Sequence, residues 1–314
     1  LNRTRRLWVY LPPDYDFSND HYPVIYMHDG QNLFDNATSF SGEWGVDETL
    51  NKLYQEHGLA MIVVGIDNGG SKRISEYSPW ENDEYGGGEG DLYTDFLVNT
   101  LKPYIDSNYR TLRGPSETYL IGSSLGGLIS HYAGLKQRSV YGKIGALSPA
   151  FWFNPEIFDF TDTVGINKVK VYLCAGGSES ASVTANMTKM KDHLIARGVT
   201  EVHTEVHPNQ GHNEAYWRKI LPEVLAYLLD SPYLLQNNEE IQLQWEITNN
   251  TFSIVGKPNT IYNANIYDLA GQLLIQDTVS NEKIVSLGSH ANKPLLIHLT
   301  SDRYQQVIRV RSVK

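Results

Sequence analysis

Cysteine is almost absent from this sequence of 314 residues, since only Cys174 is present. A single cysteine excludes an internal disulfide framework and a cysteine-based zinc site. Long apolar runs are missing as well, because no stretch approaches the roughly 18 apolar residues of a membrane span. The chain starts at Leu1 without a signal-peptide pattern. This start fits the removal of a leader and fits an arbitrary boundary equally well.

Positive charge is also scarce: 26 Lys and Arg face 36 Asp and Glu, which gives a formal net charge of -10. Such a chain repels phosphates, so neither nucleic acid nor an anionic membrane is expected as its main partner. A neutral or cationic ligand, or an extracellular setting, fits better. The hydrophobic share of 41% and the charged share of 20% are ordinary for a soluble globular protein.

Strand-like and helical patterns alternate over the first 230 residues. Apolar, β-branched runs typical of strands occur at 5–12, 22–28, 59–66, 118–122, 143–148, 169–174 and 200–207. Apolar residues at helical spacing occur between them at 45–57, 91–107, 125–138, 184–197 and 213–229. This alternation predicts an α/β fold, a doubly wound and mostly parallel sheet with helices on both faces. In such sheets, ligands bind beyond the carboxyl ends of the strands.

The pattern changes after 228–240, and no helical period survives beyond Gln242. Short alternating stretches follow at close spacing, separated by Asn, Gly and Asp. They predict a small antiparallel β-sandwich. We therefore predict two domains, 1–232 and 241–314.

A candidate nucleophile lies in the sequence Gly122-Ser123-Ser124-Leu125-Gly126, between a predicted strand and a predicted helix. A nucleophile elbow is a turn so tight that the residues two before and two after the serine must be small, and its strain exposes the hydroxyl. Glycine at both positions meets this requirement for Ser124. The alternative is a small-residue packing turn without catalysis, because Gly-x-Ser-x-Gly is frequent by chance.

A serine nucleophile needs a histidine base that a carboxylate orients, and in α/β hydrolases the acid and then the histidine follow the serine on later loops. Glu179 lies in a Gly-rich turn after the strand VKVYLC, and His212 lies in a loop after the strand TEVHTEVH. These two residues are our candidates for the acid and the base. The competing histidines are His193, His203 and His207, and the competing acids are Asp159, Asp162 and Glu205.

The backbone amides that would stabilise an oxyanion are expected at two places. One is Leu125, directly after the serine at the start of a helix. The other is Gln31, in the loop after the strand PVIYMH, where Gly30 lets the backbone turn under a substrate. The alternative is that Gln31 and its polar neighbours only stabilise the loop.

Aromatic residues follow several of the predicted strands on the same side of the sheet. Flat aromatic surfaces near a catalytic serine would suit an aryl group or a sugar ring. The candidates for substrate binding are Trp44, Trp80, Phe151 and Trp152, and the neighbouring aromatic residues are Tyr77 and Trp217. Packing of a core or a lid is the alternative for each of them.

These motifs together resemble one family. The segments RRLWVYLPPDYD, YPVIYMHDGQNLFD, VVGIDNGGSKRISEYSPW, YLIGSSLGGLISHYAGL, YLCAGGSES and HPNQGHNEAYWRKILPEVLAYL look like the branch of α/β hydrolases that includes esterase D, feruloyl esterases and enterochelin esterases. The resemblance covers about 1–230 and implies a carboxylic ester hydrolase without a cofactor or metal. It places Ser124, Glu179 and His212 at the family's triad positions. Many members have an aspartate where this chain has Glu179.

Feruloyl and acetylxylan esterases are the most similar subgroups. The sequence DGQN departs from the Thr-Cys pair of formylglutathione hydrolases, and the chain lacks the basic residues and added N-terminal domain of enterochelin esterases. We therefore expect an esterase for small or carbohydrate-linked esters. The alternatives are a siderophore esterase and a non-catalytic carbohydrate-binding or adhesion protein.

The C-terminal segment NIYDLAGQLLIQDTV and the stretches after it resemble sorting domains of the type IX secretion system, although the upstream Pro-Asn-Pro element is absent. This resemblance implies export by a Bacteroidetes-type cell, with the secretion machinery as a partner. The expected location is secreted or cell-surface, with the periplasm as the alternative.

Overall fold

The computed structural model describes residues 1–165, 169–235, 244–248, 250–255, 261–280, 283–291, 293–301 and 304–310. The chain divides into two compact units, Leu1–Leu235 and Gln236–Lys314. Residues 236–241 of the predicted boundary segment, 231–241, lie outside the described residues. The first residues of the predicted second domain also lie outside them. That each unit is an independent domain stays a prediction.

A seven-stranded sheet forms the centre of the first unit. Its strands are β1 (Leu7–Tyr10), β2 (Val24–His28), β3 (Ile62–Ile66), β6 (Thr118–Ser123), β7 (Lys143–Leu147), β8 (Lys170–Gly176) and β9 (Glu201–His207). The short strands β4 (Glu81–Asn82) and β5 (Gly86–Gly87) form a separate hairpin. The order across the sheet is β1-β3-β2-β6-β7-β8-β9. Only β1 pairs antiparallel, and the pairs from β3 to β9 are parallel.

Eight α-helices connect these strands in the described part of the first unit. They are α1 (Val46–His57), α2 (Arg73–Tyr77), α3 (Gly90–Phe96), α4 (Lys102–Asn108), α5 (Leu125–Lys136), α6 (Glu156–Thr163), α7 (Ala181–Ala196) and α8 (Glu214–Leu228). A π-helical turn, Leu97–Leu101, joins α3 to α4 without a break. No helix in the described ranges is both long enough and apolar enough to cross a membrane.

The side chains of the central strands alternate between two hydrophobic cores. In β2, Val24 and Tyr26 belong to one core, and Ile25 and Met27 belong to the other. The first core contains apolar residues of α3 to α7, and the second contains those of α1 and α8. The central strands are therefore buried on both faces, which explains why their sequences are continuous apolar runs.

The second unit contains two antiparallel sheets. One has the order β10-β11-β14 and the other β13-β12-β15-β16. These strands are β10 (Gln244–Thr248), β11 (Thr251–Val255), β12 (Tyr262–Tyr267), β13 (Leu273–Val279), β14 (Val285–Ser286), β15 (Leu295–Ser301) and β16 (Tyr304–Val310). Buried residues from both sheets, including Phe252, Ile266 and Ile297, share one hydrophobic cluster. The predicted fold class is confirmed for both parts of the chain.

Candidate active site

Ser124 lies between the end of β6 and the start of α5, with φ 57° and ψ -124°. These angles are rare for a residue with a side chain, so the backbone is strained at this position. Three backbone hydrogen bonds hold it there: the Ser124 amide donates to Leu147, and the Ser124 carbonyl accepts from Leu128 and Ala150 at 3.1 and 3.0 Å. The side chain remains partly exposed. This is the geometry of a nucleophile elbow.

Gly122 is required by a close approach of the backbone across this turn. A Cβ at Gly122 would lie 2.5 Å from the carbonyl oxygen of Gly126 and 2.9 Å from Cδ2 of His28. A Cβ at Gly126 would be 3.3 Å from Cβ of His28, which is a milder contact. The close packing of this turn therefore depends more on the missing side chain of Gly122 than on that of Gly126.

Glu179 and His212 are joined by a hydrogen bond. Nδ1 of His212 lies 2.7 Å from Oε2 of Glu179, whose side chain is 1% exposed. A carboxylate at this distance fixes the proton on Nδ1 and leaves Nε2 free to accept one. Glu179 lies in the turn after β8, and His212 lies in the loop between β9 and α8.

The other carboxylate oxygen of Glu179 has two donors of its own. Oε1 accepts hydrogen bonds from the Ser148 hydroxyl at 2.6 Å and from the Gly176 amide at 2.7 Å. Nε1–H of Trp217 in turn donates to the Ser148 hydroxyl at 3.0 Å, and the Trp217 ring meets the His212 ring edge-on. Burial raises the pKa of Glu179, but the hydrogen bonds from His212, Ser148 and Gly176 outweigh it, and the pKa lies below its ordinary value. Glu179 is thus kept ionised.

A cavity of about 280 Å³ brings these groups together. Its lining residues are Asp29, Gln31, Asn32, Phe40, Ser41, Trp44, Asn68, Arg73, Ser123, Ser124, His212, Glu214 and Trp217. The lining therefore includes the candidate nucleophile and the candidate base. Trp44 and Trp217 pack against each other with ring centroids 5.6 Å apart, and together with Phe40 they form the aromatic part of the lining.

The two predicted oxyanion donors have free amides. Among the described residues, neither the Leu125 nor the Gln31 backbone N–H donates to a protein acceptor. Leu125 is the first residue of α5, and Gln31 lies in a short 3₁₀ turn after β2 and lines the cavity. Two unused donors at these places match what a developing oxyanion requires.

An ion pair that the sequence did not reveal stabilises the loop of Gln31. Arg73 donates two hydrogen bonds to the carboxylate of Asp29, at 2.7 and 2.8 Å, and Asn68 donates a third at 2.6 Å. Burial alone raises the pKa of Asp29, but Arg73 outweighs this effect and lowers it. Asp29 itself has φ 56°, so this network holds a strained residue directly before the turn. The partners are some 40 residues apart in sequence, which is why no local signal indicates them.

Glu214 is a second cavity residue that the sequence prediction missed. It is buried, and Nδ2 of Asn32 lies 3.4 Å from its carboxylate. Burial, together with the charge of Asp29, raises the pKa of Glu214. The sequence signal that could have indicated Glu214 is its position two residues after His212, the candidate base.

The other candidate histidines have partners outside the cavity. His193 pairs with Asp162, and His203 pairs with Glu205. His207 contacts the Tyr216 hydroxyl and Glu223. His28 is buried against Tyr77 and Tyr93, where burial lowers its pKa to about 4 and keeps the ring neutral.

Three of the predicted substrate-binding aromatic residues lie away from the cavity lining. Phe151 is fully buried in the core, because the turn after β7 directs it inward against His131 and Phe158. Trp80 packs edge-on against Tyr132 and Phe160. Trp152 is half exposed next to Tyr85. Of the four candidates, only Trp44 lines the cavity.

Known proteins are similar to this chain in sequence and in fold. The uncharacterized protein YbbA of Bacillus subtilis is 31% identical over an alignment of 245 residues, and the match covers 71% of this chain and 92% of that protein. The iron(III) salmochelin esterase of Escherichia coli is 27% identical over an alignment of 243 residues, and the match covers 72% of this chain but only 54% of that protein. A solved ferulic acid esterase has a TM-score of 0.56 at 18% identity and covers 73% of this chain and 93% of its own.

The family match covers the whole first sheet. A family model described as "Putative esterase" matches residues 1–228. This range includes the elbow, the Glu179 turn and the His212 loop. The chain therefore belongs to this esterase family, and it is a carboxylesterase.

Proposed function

We propose that this chain is a serine esterase in which Ser124, His212 and Glu179 form the catalytic triad. The observation that carries the proposal is the joint geometry: a strained Ser124 and His212 line one cavity, and His212 is hydrogen-bonded to a buried carboxylate. A non-catalytic binding protein would need neither the strain nor the buried acid. The family membership supports the same reaction class.

The proposed reaction has two steps through an acyl-enzyme. His212 accepts the Ser124 proton through Nε2 while the serine oxygen attacks the ester carbonyl, and the Leu125 and Gln31 amides donate hydrogen bonds to the oxyanion. The imidazolium then gives its proton to the leaving alcohol. A water molecule, deprotonated by His212, attacks the acyl-enzyme; the bond from the acyl carbon to the Ser124 oxygen breaks, His212 returns the proton to that oxygen, and the carboxylic acid is released. Glu179 stabilises the imidazolium in both steps.

The charges in the cavity favour uncharged esters. The lining carries two carboxylates, Asp29 and Glu214, and the guanidinium of Arg73, which is already paired to Asp29. An anionic siderophore would therefore meet no unpaired cation among the residues that line the cavity. The volume of about 280 Å³ is small for a ligand pocket. We propose acetyl or feruloyl esters, small or linked to carbohydrate, as the substrates.

A siderophore ester is the second candidate. It is favoured by the 27% identity to a protein named as an iron(III) salmochelin esterase. The two candidate substrates differ in charge, so Glu214→Gln should affect their turnover differently. Removing this carboxylate should improve kcat/KM for an anionic siderophore and leave that for a neutral ester nearly unchanged.

A fluorophosphonate probe followed by a substrate panel tests the proposal. We expect covalent labelling of Ser124, seen by peptide mass spectrometry, and turnover of p-nitrophenyl acetate, methyl ferulate or acetylated xylan above that of a siderophore lactone. Labelling at another residue would contradict the triad. Faster turnover of the siderophore lactone would contradict the proposed substrate class but would leave the proposed triad uncontradicted.

We also propose that the protein is exported and that the C-terminal segment directs this. The support is the resemblance of that segment to sorting domains. Deletion of 241–314 should retain the protein inside the cell and leave hydrolysis of p-nitrophenyl acetate in the lysate unchanged. Normal export of the truncated protein would contradict the proposal.

A further inference from the structure

A second group of chemically capable side chains lies on β9, the last strand of the sheet. His203, Glu205 and His207 alternate along this strand and therefore face the same side. Glu223 of α8 reaches this group from the adjacent helix. None of these residues lines the Ser124 cavity.

Three of the side chains bring their ligand atoms close together. Nε2 of His207 lies 3.0 Å from a carboxylate oxygen of Glu223 and 3.8 Å from one of Glu205. All three ligand atoms lie within 4.8 Å of one another. Tetrahedral Zn²⁺ with bonds of about 2.0–2.2 Å separates its ligand atoms by roughly 3.3–3.6 Å, so the observed spacing needs only small adjustments.

The groups behind these ligands are arranged as they are around metal-binding histidines. Nδ1 of His207 lies 2.9 Å from the Tyr216 hydroxyl. If Nδ1–H donates to this oxygen, the lone pair of Nε2 points toward the two carboxylates. The other oxygen of Glu205 lies 3.2 Å from Nε2 of His203, which stacks on Tyr172. Tyr216 and Glu223 are seven residues apart, so they lie on one face of α8.

An ion could reach this group from solvent. Glu205 and Glu223 are 47% and 40% exposed at their side chains, whereas His207 is 15% exposed. Both glutamates also line a neighbouring cavity of about 300 Å³. Water could therefore complete the coordination of a metal bound by three protein ligands.

We propose that His207, Glu205 and Glu223 form a binding site for one Zn²⁺ ion. An imidazole with two carboxylates suits Zn²⁺ better than Ca²⁺ or Mg²⁺, which prefer oxygen ligands alone. The ion also compensates the two negative charges that the cluster carries when its histidine is neutral.

The site would connect β9 to α8, the two elements that flank the loop that carries His212. This loop starts after His207, the last residue of β9, and ends at α8, which contributes Glu223. The His207 carbonyl also accepts a hydrogen bond of 2.8 Å from Gly177, in the turn that carries Glu179. Bound Zn²⁺ would thus stabilise the base of the loop without contacting the reacting atoms.

Titration of the full chain with ZnCl₂ by isothermal calorimetry tests the proposal. We expect one ion per chain and a higher thermal midpoint. The double variant E205Q/E223Q should lose both effects, and the Tyr216→Phe variant should bind about 10- to 100-fold more weakly. The matched control is E43Q/E48Q, in an acidic group that contains no histidine, and it should bind like the unmodified chain.

A further variant separates this site from the candidate active site. His212→Ala should bind Zn²⁺ as the unmodified chain does. Loss of binding in His212→Ala, or unchanged binding in E205Q/E223Q, would overturn the proposal, as would the absence of any binding. None of these outcomes depends on whether the chain hydrolyses an ester.

Discussion

At the scale of the residue, the backbone strain at Ser124 distinguishes this position from its neighbour. Ser124 has a positive φ and is partly exposed, whereas Ser123 belongs to β6 and is buried. Both serines line the cavity, so proximity alone does not assign the role. The strained backbone and the greater exposure favour Ser124 as the proposed nucleophile.

We expect Ser124→Ala to lower kcat by about 10⁴- to 10⁶-fold, because removal of the proposed nucleophile leaves only binding and the oxyanion donors. The measurement is steady-state hydrolysis of p-nitrophenyl acetate. Ser123→Ala is the matched control and should lose less than about tenfold. Similar losses in both variants would show that the turn, and not the hydroxyl, had been damaged.

Glu179→Gln should lower kcat by about 10⁴-fold, since the neutral amide no longer stabilises the imidazolium of His212. It should also change stability with pH. The pKa of Glu179 is lowered from its ordinary value of 4.5, so the carboxylate stabilises the fold above that pH and loses this effect as the pH falls through the lowered value. Urea unfolding at pH 7 and pH 3 should therefore give a larger difference between variant and parent at pH 7. An equal difference at both pH values would contradict this.

The sequence predicts the candidate positions that obey a local rule. Ser124 is predicted from its flanking glycines, and Glu179 and His212 are predicted from their places after later strands; their roles stay part of the proposal. Ser148 and the Arg73–Asp29 pair were missed, because their roles depend on partners 31 to 69 residues away. Nothing in the sequence around Ser148 indicates that its hydroxyl donates a hydrogen bond to the carboxylate of Glu179.

At the scale of the element, the junction of β6 and α5 depends on the close approach of the backbone at Gly122 to the backbone at Gly126. Gly122→Ala should destabilise the fold by several kcal/mol, because the new methyl group would meet the Gly126 carbonyl, which cannot move away as a flexible side chain would. Gly114→Ala is the control, since its Cβ would have only the Ser116 hydroxyl nearby, at 3.8 Å. Equal thermal midpoints for the two variants would contradict this view of the elbow.

The elements that the sequence did not predict are short or lack a clear period. The hairpin of β4 and β5 has only two residues in each strand, and β5 consists of two glycines, which favour no strand. Helix α6 begins directly after Pro155 and has only eight residues, too few for a helical repeat to be distinguished. The long apolar strands were predicted within a few residues because both of their faces are buried.

At the scale of the whole molecule, two buried histidines should make the fold sensitive to acid. Burial lowers the pKa of His28 to about 4 and that of His131 to about 3, both from 6.5. Below pH 6.5 the unfolded chain therefore binds protons that the folded chain does not bind. The free energy of unfolding falls as the pH decreases from 6.5 toward 4. For His28 alone, the shift corresponds to about 3 kcal/mol.

His131→Gln tests this expectation, because glutamine can still bond to Thr161 but has no charged form. The free energy of unfolding should depend less on pH between 6.5 and 4, by up to about 1.4 kcal/mol per pH unit. His21→Gln, at an exposed position, is the control and should keep the slope of the parent. An unchanged slope in His131→Gln would show that the ring is not the source.

The order of strands in the first unit has a consequence for how activity returns after denaturation. Ser124, Glu179 and His212 follow β6, β8 and β9, and β7 lies between the first two of these strands. Four neighbouring parallel strands must therefore pair in register before the three side chains meet, and such non-local pairing is slow. Reactivity toward a fluorophosphonate during refolding would report the completed assembly of this half of the sheet, later than any signal from helix formation.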